Sequence, residues 1–194
     1  QETEEVHFGG TLREFWNDGH LHIVNEGYHT VLAVPCDMEI AGYGTDHVNN
    51  LRLWDAKSPT PVDMSLFSRG EYLKATEEEA MASVSVVRKH LEVYGTLKNF
   101  HEKNVFQIND THPALVIPEL MRILIDDAGL DWDEAWDITT KSVAYTNHTV
   151  LSEALERWPQ NLVQQLLPRV WQILVEISNR WQKKVEDFYH DGHK

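Results

Sequence analysis

The chain has 194 residues, 42% of them apolar and seven of them tryptophan, enough to bury a core and too apolar for a disordered polymer. Seventeen Lys/Arg against 31 Asp/Glu give a formal charge of −14, which repels phosphate backbones and anionic lipid and argues against nucleic acid or membrane as partner. A single cysteine, Cys36, rules out an internal disulfide, and there is no basic-then-apolar leader; both fit a reducing, cytoplasmic setting.

In chain order, residues 1–69 read as mainly β-strands and loops. "VHFGG" (6–10), "HLHIVNEGYHTVLAVP" (20–35) and "NNLRLWDAK" (49–57) carry short alternating or continuous apolar runs broken by glycine turns. "KSPTPVDMSLFSRG" (57–70), with two prolines, reads as a connecting loop. Residues 70–103 turn helical. Tyr72, Leu73, Met81, Val84, Val87 and Leu91 are available for a buried stripe, and the acidic run Glu77 to Glu79 faces water.

Residues 104–194 alternate strand and helix. "NVFQIND" (104–110) reads as a buried strand with a polar end, and "PALVIPELMRILIDDAG" (113–129) as a helix with Pro118 near its first turn and Gly129 as its stop. Asp131, with Glu134 three residues on, makes a capping-box pattern, and Trp132 and Trp136 share one face. "KSVAYTNH" (141–148) is expected to be a strand entering a loop, and "SEALERWP" (152–159) a short helix. A long last helix follows, with Val170, Leu174, Ile177, Trp181, Val185 and Phe188 at three- or four-residue steps. This alternation predicts α/β structure with parallel pairing, in which ligands bind at the carboxyl ends of the strands.

Two polar clusters fall at such ends: "NDTHP" (109–113) and "YTNHT" (145–149). Asp110, His112, Asn147, His148 and Thr149 offer a carboxylate, an amide, two imidazoles and a hydroxyl. Asp-x-His with a distant His could ligate a metal, although no further spacing supports it. Nucleophilic hydrolysis is weaker still, since Cys36 is remote and no Gly-x-Ser-x-Gly elbow exists. Recognition of a polyhydroxylated ligand such as a sugar suits the donor and acceptor set. The purely structural alternative has Asp110 and Thr111 capping the next helix while His148 satisfies a buried carbonyl.

The strings "VNNLRLWDAK" (48–57), "VFQINDTHPALVIPELMRILID" (105–126), "LDWDEAWDIT" (130–139) and "AYTNHTVLSEALERWP" (144–159) resemble the α-glucan phosphorylases, the glycogen, starch and maltodextrin phosphorylase family. "VHFGG" and "VLAVPCDMEIAGYGTDHVN" (31–49) fit as well. The resemblance implies part of the N-terminal domain of a GT-B glycosyltransferase, a Rossmann-like parallel or mixed sheet flanked by helices. It implies phosphorolysis of α-1,4-glucans by inorganic phosphate to glucose 1-phosphate. Pyridoxal 5'-phosphate is held on a lysine of a C-terminal domain outside this chain and exchanges protons through its phosphate group, so none is expected bound here.

By motif match, His148 and Asp110 are the catalytic candidates, with His148 against the reacting glucosyl unit; His112, Asn147 and Thr149 are the substrate-binding candidates. Between residues 71–83 and 86–110 a few dozen family residues are missing, among them a mobile loop that gates the catalytic site. The isolated chain is therefore expected to be inactive. Competing readings are a carbohydrate-binding module, with residues 179–189 of the last helix as the place to look, and a dimerisation piece. In the latter, "GEYLKATEEEAMAS" (70–83) matches the family's interface helix.

Overall fold

The computed structural model describes residues 3–57, 84–152, 155 and 157–190. The expected loop at 57–70, apart from Lys57, the stripe residues Tyr72, Leu73 and Met81 and the interface-helix match at 70–83 lie outside them.

The amino-terminal part is antiparallel. Strand β1 (Glu4–Phe8) pairs with β4 (His29–Ala41), which pairs in turn with β5 (Val48–Lys57), giving a three-stranded sheet in the order β1-β4-β5. Between β1 and β4, strands β2 (Thr11–Asn17) and β3 (His20–Glu26) form a separate hairpin. The charged, aromatic run of β2 carried no strand signal in the sequence; pairing with β3 decides it. Alternation is strict in β1, where Glu4, Val6 and Phe8 point inward. Gly10 is required at its position. Its φ is +90°, and a Cβ there would overlap the Asn25 amide and stand 2.8 Å from the Glu26 carbonyl oxygen.

The second half begins with α1, helical over 84–94, and a short α2 (Phe100–Lys103). Val87 is buried as expected, while Leu91 is exposed. Strand β6 (Phe106–Asn109) is shorter than the expected 104–110. It is less buried as well: Ile108 alone is fully enclosed, and Val105 is exposed.

Helix α3 (Val116–Arg122) has Pro118 in its first turn, where no intrahelical N–H is needed. It widens into a π-helical turn, Ile123–Asp127, closed by the Ala128 N–H on the Ile123 carbonyl at 2.9 Å, and stops at Gly129 with φ +71°. Helix α4 (Trp132–Ser142) is capped as its sequence predicts, the Asp131 carboxylate accepting from the Glu134 N–H at 2.8 Å. It runs directly into β7 (Val143–Thr146).

Of the described residues in the expected short helix at 152–159, none is α-helical. Proline at 159 disfavours helical backbone at the residue before it, and the helix forms after it instead, as α5 (Gln160–Leu166). Pro168 repeats the effect. Leu167 is forced out of helical geometry and α6 (Pro168–His190) starts afresh.

Strands β6 and β7 are parallel, connected through α3 and α4, with Phe106, Gln107, Ile108 and Asn109 opposite Val143, Ala144, Tyr145 and Thr146. Parallel pairing is thus present but confined, among the described residues, to this two-stranded sheet; the mixed α/β class holds while the larger sheets are antiparallel.

Two apolar clusters form the core. One joins β1 and β4 to Leu167 and Val170; the other gathers Phe100, Leu120, Met121, Leu124, Ile138 and Ile173. Val170 and Ile173 lie one turn apart on α6, which therefore sews the two together. Arg169, from the same turn, grips Asp126 of the π turn with two bonds of 2.8 Å. Trp132 and Trp136 pack at the edge of the second cluster rather than inside it. The three- and four-residue steps of the last helix hold, but the stripe they make is buried only as far as Ile177: Trp181 is 62% and Phe188 74% exposed.

Asp131→Ala removes a cap and is expected to cost about 1 kcal/mol in urea unfolding, with Asp131→Asn close to wild type. Burial pushes the Glu119 carboxyl above its ordinary 4.5 despite the bidentate Arg122 beside it. A carboxyl raised in the folded state contributes stability that is full below its ordinary pKa and lost as pH rises through the raised value. The melting temperature of the natural chain relative to Glu119→Gln is therefore expected to fall as pH is taken from about 4 to about 7.

Candidate functional site

The carboxyl ends of β6 and β7 bring the two polar clusters side by side. The Asp110 N–H donates to the Thr146 carbonyl at 2.8 Å, extending the parallel ladder by one bond past Asn109 and Thr146. Asp110 then turns the chain in the left-handed region, at φ +60°, a conformation that Asp tolerates better than most residues. That turn carries its carboxylate across to the other loop, where Oδ1 accepts the His148 N–H at 2.7 Å. The His148 ring follows, with Nε2 3.4 Å from Asn109 Oδ1.

The loop after β7 is wound on its own polar side chains. The Thr149 N–H donates to Asn147 Oδ1 at 3.1 Å, and the Leu151 N–H to Thr149 Oγ1 at 3.2 Å. Across the ladder, Gln107 Nε2 donates to Thr146 Oγ1 at 3.0 Å. Asn147 and His148 are exposed, Asp110 and Thr149 half-buried, and His112 is exposed at the head of the segment leading to α3. Thr111 Oγ1 is buried without a hydrogen-bond partner.

Asp110 thus does not serve the structural duty offered for it, capping the next helix. Helix α3 begins after Leu115 with no side-chain cap, and the Asp110 carboxylate spends one oxygen on the facing loop. The site also includes two residues not named among the candidates, Asn109, the first residue of the "NDTHP" cluster, and Gln107. Asn109 reaches the His148 ring, and Gln107 ties β6 to Thr146. Their signal was present, since alternation along 106–109 puts Gln107 and Asn109 on the face opposite buried Ile108.

Among the described residues, no three His, Cys, Asp or Glu side chains converge to hold a metal ion. Cys36 is an exposed thiol on β4, in another sheet. What remains is an open surface of amide, imidazole, carboxylate and hydroxyl groups at one strand end, suited to ligand hydroxyls and without a nucleophile of its own.

Two clefts lie elsewhere. One, of about 830 Å³, is lined by Trp132, Trp136 and Trp181 with charged residues of α6. The other, of about 440 Å³, runs between the β2–β3 hairpin and the α3–α6 junction. None of the five candidate residues lines either cleft. Every lysine among the described residues is exposed. An imine to an aldehyde cofactor needs a lysine shielded from water, so these residues do not fit as the anchor of pyridoxal phosphate. No described helix is long and apolar enough to cross a membrane.

The sequence matches the profile of the carbohydrate phosphorylases in two overlapping stretches, residues 1–85 and 79–194. It is 41% identical to the glycogen phosphorylase of Chlamydia pneumoniae over 190 positions, covering 82% of this chain and 23% of that protein. It is 38% identical to the glycogen phosphorylase of Bacillus subtilis over 208 positions, covering 95% of this chain and 26% of the relative. Against the mouse muscle form the identity is 37% over 222 positions, 94% of this chain and 26% of the relative. This chain thus spans about a quarter of the length of the curated relatives it matches. Alignments of 208 and 222 positions exceed its 194 residues, so both relatives contain sequence within the match that has no counterpart here. With the profile matched from end to end, the chain belongs to the carbohydrate phosphorylase family.

Proposed function

We propose that this chain is one piece of an α-1,4-glucan phosphorylase, supplying part of the glucosyl-binding side of the active site. In the intact enzyme it would lie in the N-terminal one of two Rossmann-like domains of a GT-B fold and act on glycogen or maltodextrin with inorganic phosphate. The observation that carries this reading is the 2.7 Å bond from the His148 N–H to Asp110, which makes one surface of two distant sequence clusters. The break in the family sequence falls near residues 79–85, where the two profile matches overlap.

In this reading His148 meets the reacting glucosyl unit through its ring and its backbone carbonyl. Positive charge develops at the anomeric carbon as the glycosidic bond breaks, and a carbonyl dipole held in place beforehand stabilises it without reorganisation. Asp110 supplies that restraint by pinning the His148 amide. Asn109 turns the ring, and Asn147, Thr149 and His112 contribute donors and acceptors to sugar hydroxyls. None of the described lysines fits as an anchor for pyridoxal phosphate, so these residues act on the sugar alone. In the intact enzyme the cofactor and the groups that bind inorganic phosphate belong to the C-terminal part of the protein. The lone cysteine of this piece, Cys36, is an exposed thiol and is compatible with the cytoplasmic setting we propose.

The isolated chain is expected to release no glucose 1-phosphate from maltodextrin and phosphate, with or without added pyridoxal phosphate. Phosphate-dependent release by the pure chain would overturn the division of labour proposed here. The clamp has its own test. Asp110→Ala is expected to speed amide hydrogen exchange at His148 by about tenfold, the loss of one charge-assisted bond of ~1.5 kcal/mol. Asp110→Asn keeps an acceptor and should leave exchange near the natural rate. An unchanged rate in Asp110→Ala would mean that the two loops hold their places without the carboxylate.

A further inference from the structure

Helix α2 has four residues, fewer than a helix needs to hold itself in water. Asparagines flank it at both ends, Asn99 at the N-cap and Asn104 at the C-cap, and Asn99 makes no side-chain bond to the helix. Both side chains meet on one ring instead. His90 of α1, only 3% exposed, has Nε2 3.0 Å from Asn99 Oδ1 and Nδ1 2.8 Å from Asn104 Nδ2. A single imidazole thus spans the short helix from cap to cap.

A third bond places the proton on that ring. Asn104 Nδ2 also donates to the Phe100 carbonyl at 3.1 Å, and the Asn104 backbone N–H donates to the same oxygen at 3.0 Å. Turning the amide over would set its oxygen against that carbonyl, acceptor on acceptor. The amide nitrogen therefore faces His90, Nδ1 is a bare acceptor, and the ring proton is on Nε2, donated to Asn99.

Packing holds the ring in the same place. Phe100 meets it edge-on with centroids 5.1 Å apart, and the Tyr94 ring is 4.6 Å away. Phe100 itself is fully buried in the larger apolar cluster and stacks at 6.3 Å on Phe106, the first residue of β6.

What lies downstream gives this knot its consequence. Asn104 leaves α2 in extended geometry, φ −132° and ψ 141°, two residues before β6 opens. Strand β6 has four residues and runs into the polar cluster whose Asp110 holds the His148 amide. So short a strand has little ladder with which to fix its own place, and at its amino end it is met by α1, which is no part of the crossover to β7.

We propose that His90 is the positioning residue for β6. As the Nε2–H tautomer it ties both caps of α2, and so fixes where the strand begins and where its end presents Asp110. What this does for a sugar rests on the reading of the strand ends given above; the anchor itself is testable without it.

In long-range proton–nitrogen spectra of the full chain, the His90 ring, assigned by its loss in His90→Gln, is expected to show a protonated Nε2 and a bare Nδ1. His90→Phe keeps an aromatic ring and removes both bonds. It is expected to speed amide hydrogen exchange at Asn104, Asp110 and His148 by at least about tenfold, the equivalent of one buried bond, while the β4–β5 ladder keeps its rates. His90→Gln carries a donor and an acceptor on one group and should restore most of the protection. A natural ring protonated on Nδ1 overturns the proposal, and that spectrum decides even where His90→Phe does not fold. Natural rates at the three amides in His90→Phe overturn it too, as does exchange that is faster everywhere alike, or His90→Gln no better protected than His90→Phe. Failure of the anchor leaves the sugar reading standing. Release of glucose 1-phosphate by the pure chain would strike the division of labour and leave the anchor.

Discussion

A parallel ladder of four residue pairs, β6 on β7, is the constraint from which the candidate site follows. Parallel strands need a crossover, and here the crossover is α3, its π turn and α4, the elements that build the larger of the two apolar clusters. Packing the crossover therefore aligns the strands, and aligned strands end together. Because both run the same way, the loops that leave them emerge on one side, which lets Asp110 reach the amide of His148, a residue 38 positions later. Had the strands been antiparallel, the two polar clusters would have left from opposite ends.

Helix α6 does the corresponding work for the molecule as a whole. Leu167 and Val170 complete the cluster under the three-stranded sheet, and Ile173, less than a turn further on, enters the cluster under α3 and α4. Arg169 fixes the azimuth of the helix by gripping Asp126. Asp126, the carboxylate it grips, lies in the π turn Ile123–Asp127. Past Ile177 no cluster of the described residues receives the stripe, and Trp181, Val185 and Phe188 are exposed among them. A single helix thus has two regimes, set by how far the core extends rather than by any change in its own pattern.

Membership of a phosphorylase family and the open character of the site belong together. Donors and acceptors gather at the ends of β6 and β7, and neither a cysteine nor a shielded lysine accompanies them among the described residues. The quarter-length match to full phosphorylases accounts for why so little of the reaction can be located here.

Read from the sequence alone, the local elements came through where side-chain chemistry acts over a few residues. The Asp131 cap, the Gly129 stop, the place of Pro118 in its helix and the family motifs are all short-range statements, and each depends on bonds made within a turn or two. Other outcomes depended on distant partners. Strand β2 exists because β3 pairs with it, and the helix expected before Pro159 gives way to one after it. Trp181 and Phe188 stay exposed because the core ends beneath them. The identities of Asp110 and His148 were legible as polar residues at strand ends, but their joining was not: it required the crossover to pack and the Asp110 backbone to take a left-handed turn. The sequence by itself determined which polar residues fall at strand ends; the tertiary structure decided which of them stand together, because proximity across 38 residues is a property of packed elements and not of spacing.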